Sequence, residues 1–176
     1  MTSPDPSEFS WIKGWTRNEG SGRDRRESER AMKFWEKKAA ELGSDLTIAA
    51  LDINNTTSED WSNRFLISVD SVLERSTLLL YGPQFARLLH LPPLPRPDLP
   101  MVRQLPTRYG EVFLRACAQL QQENAPLRIE GEVAAPDGRI EQYRAVFIPI
   151  GVKPNSLTCF AFGAFNSRVI DAPVPA

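Results

Sequence analysis

The sequence has few of the residues that bind metals, form disulfides or activate nucleophiles. Its 176 residues include one histidine and two cysteines. A zinc finger, a three-histidine metal centre and a disulfide scaffold all need more of them. A serine or cysteine nucleophile activated by an imidazole would depend on the single histidine, His90. We therefore expect no metal site, no catalytic residues and no enzyme activity.

The chain also lacks a strong net charge and long apolar segments. It has 21 basic and 22 acidic residues, a formal net charge of −1, so no overall field attracts nucleic acid or anionic lipid. No run of about 18 apolar residues occurs, and the N-terminus lacks the basic and apolar regions of a secretory signal. Cys117 and Cys159 lie in apolar segments, as buried free cysteines usually do. We expect a cytoplasmic protein that binds neither nucleic acid nor membrane.

A helix with one apolar stripe is predicted near the N-terminus, over residues 24–43. Asp24 can cap its start and Gly43 can end it. Between these ends apolar residues recur at spacings of three and four, as on one face of a helix. They are Met32, Trp35, Ala39 and Leu42. This stripe is the predicted interaction surface.

From about residue 64 the pattern changes to short strands and helices. The predicted order is two strands, a short helix, a proline-rich connector, a longer helix and three closing strands. Their positions are a strand around Phe65–Val69, a strand at Thr77–Tyr81, helices at Pro83–His90 and Thr107–Asn124, and closing strands at about 127–134, 139–150 and 156–166. Because the helices are grouped between the second and third strands, we expect an α+β domain over residues 60–170 with a five-stranded antiparallel sheet. Residues 1–23 and 171–176 are expected to be mobile tails.

The connector, residues 92–100, reads PPLPRPDLP. Proline lacks an amide donor and fixes φ, so this segment can be neither regular helix nor central strand. We expect extended polyproline geometry. The PxxP pattern matches ligands of SH3 domains, but a stiff surface connector is the simpler interpretation.

The turn between the third and fourth strands predicts their register. Residues 136–138, Pro-Asp-Gly, suit a three-residue loop with glycine in the left-handed position, which pairs Ala135 with Arg139. This register gives one apolar face and one charged face. Its pairs are Leu127 with Phe147, Ile129 with Ala145, Gly131 with Tyr143 and, on the charged and solvated face, Glu130 with Arg144. A two-residue loop would instead oppose Glu132 to Glu141.

This order of elements resembles the PAS family of sensory domains. The resemblance is carried by the long helix leading into "LRIEGEVAAPDGRIEQYRAVFIPI" and by the last strand, "LTCFAFGAFNSRV". The segment "FWEKKAAELGSDLTIAALDI" looks like the lead-in helix of small, stand-alone bacterial PAS proteins. The resemblance covers residues 31–170, most of the chain.

The resemblance implies that the first strand is central, beside the fifth, with the helices on one face of the sheet. The Trp35 helix would then cover part of the other face. It also implies signal transduction, by sensing or by protein–protein interaction, with no output domain in the chain. We therefore expect a homodimer that binds an unidentified signalling protein.

The resemblance also suggests which ligands the chain could hold. Haem-binding members use a histidine on the long helix, which has none here, and flavin photosensors use a cysteine in a motif that neither cysteine matches. Both cofactors are disfavoured. A small organic ligand could be lined by residues of both helices and four strands, unless these residues only pack together. They are Phe65, Ile67, Leu88, Leu89, Val112, Phe113, Ala116, Ile129, Tyr143, Phe147, Phe160 and Phe162.

One alternative belongs to another functional class. A small α+β protein of the NTF2-like kind could carry a carboxylate- or arginine-based activity, or could bind an anion. Arg103, Arg108 and Arg144 would be the candidate anion ligands. Three scattered arginines are more often surface residues.

Overall fold

The computed structural model describes Lys33, residues 61–151 and residues 160–170. The elements in chain order are β1 (Arg64–Ser68), a 3-10 turn (Leu73–Arg75), β2 (Thr77–Tyr81), α1 (Pro83–Leu88), α2 (Met101–Gln104), α3 (Thr107–Glu123), β3 (Leu127–Ala134), β4 (Ile140–Ile150) and β5 (Phe160–Ile170). The predicted apolar stripe and both predicted tails lie outside the described residues. Lys33 is helical and exposed.

The five strands form one antiparallel sheet in the order β2-β1-β5-β4-β3. Thus β1 is internal and pairs with β5, and the helices lie between β2 and β3. This is the arrangement that the PAS resemblance implies, so the predicted fold class is confirmed. The longest pairing, between β4 and β5, runs from Ile140 opposite Ile170 to Ile150 opposite Phe160.

The last strand extends further along the chain than predicted. It runs over Phe160–Ile170, whereas the sequence predicted residues 156–166. At this end of β5, Asn166 pairs with Arg144 and Ser167 with Tyr143 of β4. The length of β4 therefore sets the length of β5.

The turn between β3 and β4 has the predicted geometry. Gly138 has a φ of 83°, in the left-handed region that favours glycine. The Ala135 amide donates to the Arg139 carbonyl at 2.8 Å, and the Gly138 amide donates to the Ala135 carbonyl at 3.0 Å. All four predicted cross-strand pairs are confirmed: Leu127 with Phe147, Ile129 with Ala145, Glu130 with Arg144 and Gly131 with Tyr143.

The helices pack on one side of the sheet, which we call the inner face. Buried side chains of α1, α2 and α3 form one core there with Phe65, Phe147 and Phe165. Gly163 allows the close approach of its neighbours. A Cβ atom at this position would lie 1.9 Å from the Val146 carbonyl oxygen and 2.6 Å from Cζ of Phe65. The inner face therefore needs glycine at this point.

The opposite side, the outer face, carries a second apolar cluster, although none of the described helices contributes a residue to it. We call this the outer cluster. Its buried members are Trp61, Leu66, Val146, Ile148, Ile150, Phe162 and Ala164. The rings of Trp61 and Phe162 meet edge to face, with centroids 5.7 Å apart. Because the sheet is covered on both faces, β4 is buried at every position after Ile140.

The outer face is less solvated than the sequence predicted. Glu132 is exposed as expected, but Arg144 is only 6% exposed and Gln142 only 3%. Gln142 accepts hydrogen bonds from Nε and Nη2 of Arg168, at 3.0 and 2.8 Å. β4 lies between β3 and β5, so its polar side chains are flanked by neighbours that an edge residue lacks.

The proline-rich connector is bent, and not one extended segment as predicted. It bends at Pro93 and Leu94 and turns again at Pro97 and Asp98. Side chains of β2 hold its backbone, since the Tyr81 hydroxyl donates to the Pro92 carbonyl at 2.6 Å and the Thr77 hydroxyl to the Leu99 carbonyl at 2.7 Å. The short helix α2, which the sequence did not predict, follows at once.

Across residues 61–151 and 160–170, no helix is long and apolar enough to cross a membrane.

Candidate functional site

Most of the predicted ligand-lining residues meet on the inner face. Eight of them are buried in its core and two, Leu88 and Val112, are half-buried against it. The eight are Phe65, Ile67, Leu89, Phe113, Ala116, Ile129, Tyr143 and Phe147. They come from β1, α1, α3, β3 and β4, so the fold gathers residues that are far apart in sequence.

Within this core the aromatic rings contact one another. The ring of Phe65 lies 5.3 Å from Phe85, 5.5 Å from Phe113 and 5.1 Å from Phe147, centroid to centroid. Phe113 and Phe147 meet edge to face at 5.3 Å. These are ordinary distances for packed aromatic pairs. The arrangement is that of side chains that fill the space between helices and sheet with one another.

Phe160 and Phe162 are not brought together with the other ten. Phe162 belongs to the outer cluster and Phe160 packs against it. The reason is the two-residue period of a strand. Phe162 pairs with Ile148 and Phe160 with Ile150, both on the outer side of β4.

A buried polar cluster lies on the inner face, where α3 begins over β4. Glu141 accepts from Nη2 of Arg108 at 2.9 Å and from Nε of Arg108 at 3.2 Å. It also accepts from the Tyr109 hydroxyl at 2.7 Å. The Arg108 and Glu141 side chains are 14% and 8% exposed. These three residues form what we call the clamp, because they attach the first turn of α3 to β4.

The ring of Tyr109 extends the clamp into the core. It meets Tyr143 and Phe165 edge to face, at 5.6 and 5.1 Å. Burial, and then the hydrogen bond to Glu141, raises the pKa of Tyr109. Burial also raises the pKa of Tyr143 to about 12. Both phenols are therefore neutral at physiological pH, and the Tyr109 hydroxyl donates to the carboxylate.

Glu141 was not among the predicted site residues. Its partner Arg108 was predicted as a possible anion ligand. The signal that could have found the cluster is the predicted hairpin register, which places Glu141 on the same side as Tyr143. An acid in an otherwise apolar row requires a buried partner.

The three arginines of the anion-binding alternative do not converge. Arg103 is exposed on α2, Arg108 is bound to Glu141 on the inner face, and Arg144 lies on the outer face with Nε 3.9 Å from Glu130.

The remaining chemical candidates are also placed apart. His90 is exposed, just after α1. Cys117 is buried in α3, and burial raises the pKa of its thiol to about 12. Among the residues that the structure describes, no three or more His, Cys, Asp and Glu side chains are grouped so that they could hold a metal ion.

Solved structures of PAS and LOV domains match the chain over most of its length. The Rhodobacter sphaeroides LOV protein has 13% identity and a TM-score of 0.43, and the match covers 77% of this chain and 67% of that one. An RsLOV d2 variant has 15% identity and a TM-score of 0.45, covering 65% of this chain and 64% of that one. The PAS domain of an HTR-like protein from Haloarcula marismortui has 12% identity and a TM-score of 0.40, covering 81% and 99%.

No protein-family model matches the chain, and no curated protein matches it. At such low identities and TM-scores, the structural likenesses carry no argument about ligand or activity. The PAS-like fold rests on the strand order and the position of the helices described above.

Proposed function

We propose that this chain is a PAS-type regulatory protein that acts by binding another protein, and that it dimerises through its N-terminal helix. One observation carries the proposal: the sheet is apolar on both faces, whereas the described helices pack on the inner face alone.

The outer cluster is large enough to require a cover. Burying one Val, Leu, Ile or Phe side chain contributes about 1.5–3 kcal/mol, and the cluster contains several of them. Trp61, the first residue of the described range 61–151, belongs to the cluster.

The predicted stripe of Met32, Trp35, Ala39 and Leu42 is the complement that the chain itself offers. A stripe of this width hides only one side of a helix and needs an apolar surface opposite it. The outer cluster supplies such a surface. In this proposal the chain signals in the cytoplasm through protein contacts and without catalysis.

The test compares two single substitutions in the N-terminal helix by sedimentation velocity over a range of concentrations. Trp35→Ala removes the largest ring of the stripe, and we expect it to raise the dissociation constant of the dimer at least roughly tenfold. Lys33→Ala is the matched control, since Lys33 is helical and exposed, and we expect no change.

Deleting residues 1–43 provides the second arm. We expect this shorter chain to be monomeric and less stable to urea than the full chain. A shorter chain with the same oligomeric state and stability would contradict the role of the helix.

We further propose that the inner face is a packed core and holds neither haem nor flavin. The contacts among Phe65, Phe113 and Phe147 support this. Native mass spectrometry and a visible absorbance scan of the purified protein test it, and a bound mass or a chromophore would contradict it.

A further inference from the structure

The two edges of the sheet differ in what lies beside them. At β2, side chains of Thr77 and Tyr81 bond to the backbone of the proline-rich connector, which therefore lies against that edge. At the other edge, β3 pairs with β4 on one side only, and no described strand pairs with its other side. With eight residues, β3 is also longer than β2. An open edge of this length can accept another strand.

The outer side of β3 carries charges of both signs. Arg128 and Glu132 are exposed, and the Glu130 side chain is 42% exposed. The inner side presents Leu127 and Ile129, which are buried in the core. A strand with alternating signs can match a second, antiparallel copy of itself, because opposite charges across a strand pair attract and like charges repel.

Only a few registers are possible for such a pair. If the helices of both copies stay on the same side of the joined sheet, each residue must oppose one that points to the same face. With Glu130 opposite itself, two carboxylates meet at the centre, and Arg128 faces Glu132 twice. With Gly131 opposite itself, Glu130 meets Glu132 twice. With Ile129 opposite itself, Arg128 meets Glu130 twice and no like charges meet.

We propose that a second copy of this chain adds to β3 in antiparallel orientation, with Ile129 opposite Ile129 of the second copy. The two sheets then form one continuous sheet of ten strands, five from each copy. Arg128 of each copy faces Glu130 of the other. This inference rests on the proposed dimer and names the strand at which the second copy adds.

The first experiment reverses one charge in the full chain. Arg128→Glu places a carboxylate opposite Glu130 in both symmetric pairs. We expect the dissociation constant, measured by sedimentation velocity, to rise at least roughly tenfold. Glu132→Lys is the register control. Glu132 would face Pro126 of the second copy, beyond the end of β3, so we expect a change of less than about twofold.

The second experiment restores the pairing between two variants. Arg128→Glu and Glu130→Lys each oppose like charges in their own dimers. In a mixed dimer, the glutamate introduced in one copy faces the lysine introduced in the other, and the unchanged Glu130 and Arg128 face each other. We expect each variant alone to dimerise more weakly than the wild type. We expect the mixture to form heterodimers over the same concentration range in which the wild type dimerises. Far-UV circular dichroism checks that each variant is folded.

Each result has a distinct meaning. A wild-type protein that stays monomeric would overturn both the dimer and this inference. A dimer that Arg128→Glu leaves unchanged, with no heterodimer in the mixture, would overturn pairing at β3 and leave the proposed dimer standing. Weakening by Glu132→Lys equal to that by Arg128→Glu would overturn the register.

Discussion

The clamp between α3 and β4 can be tested by making the same substitution at two glutamates that both bind an arginine of α3. Glu141→Gln removes the charge that Arg108 and Tyr109 share. Glu111→Gln removes the charge from the exposed pair of Glu111 and Arg115, in which the Nη2–Oε1 distance is 2.6 Å. The two pairs differ in burial: the Glu141 side chain is 8% exposed and the Glu111 side chain 72%.

The expected costs follow from that difference. Removing one partner of a buried ion pair costs about 3–5 kcal/mol. The glutamine oxygen still accepts a hydrogen bond, so we expect Glu141→Gln to lower the free energy of unfolding by about 3 kcal/mol. An exposed i, i+4 pair contributes about 0.3–0.5 kcal/mol, which is the loss expected for Glu111→Gln.

Urea unfolding at neutral pH, followed by far-UV circular dichroism at one protein concentration, measures both changes. The concentration is fixed because dimerisation would otherwise shift the apparent stability. Equal losses for the two variants would refute the reasoning, since they would mean that burial of the clamp does not strengthen it. A changed slope with urea would mean that the substitution altered the compactness of one state.

The same assay tests three further features. Gly163→Ala should lower the free energy of unfolding by about 3 kcal/mol because of overpacking. Gly110→Ala is the comparison: its Cβ would lie 3.9 Å from Val102, so it should stabilise α3 by about 0.5–1 kcal/mol. Equal effects would contradict the packing described at Gly163. His90 has a φ of 55°, so His90→Gly should stabilise by about 0.5–1 kcal/mol, and a loss would show that this residue makes a needed contact. Burial raises the pKa of Cys117 from 9.0 to about 12 and that of Tyr143 from 10.0 to about 12. As pH rises, the unfolded chain therefore loses these protons before the folded chain does. The free energy of unfolding should fall as pH rises from about 9 to 12. Cys117→Ala should make that fall shallower, and an unchanged pH profile would contradict the contribution of the thiol.

The features that were predicted correctly depend on neighbours in sequence. The hairpin register follows from the Pro-Asp-Gly turn and from the alternation on either side of it, within about twenty residues. The sequence also predicted a helix at Thr107–Asn124, and α3 runs over Thr107–Glu123. In each case the physical cause lies within the segment, so the segment's own sequence is enough.

The features that were missed depend on residues that are distant in sequence. Which side chains of β5 point to which face of the sheet is set by the pairing of β5 with β4. That pairing was not predicted, and Phe162 was grouped with residues of the inner face. The bends of the connector depend on Tyr81 and Thr77, which no local pattern links to the prolines. The hairpin register placed Glu141 in an apolar row, but its partners Arg108 and Tyr109 could be identified only once α3 was placed over β4.

The position of β1 inside the sheet has a consequence for how the chain folds. The Asn63 side chain donates to the Phe165 carbonyl, 102 residues later, so a strand made early pairs with the strand made last. During synthesis both β1 and β4 have one open side until β5 leaves the ribosome. Such distant pairing slows folding, and we expect chains truncated before Phe160 to expose apolar strand edges and aggregate.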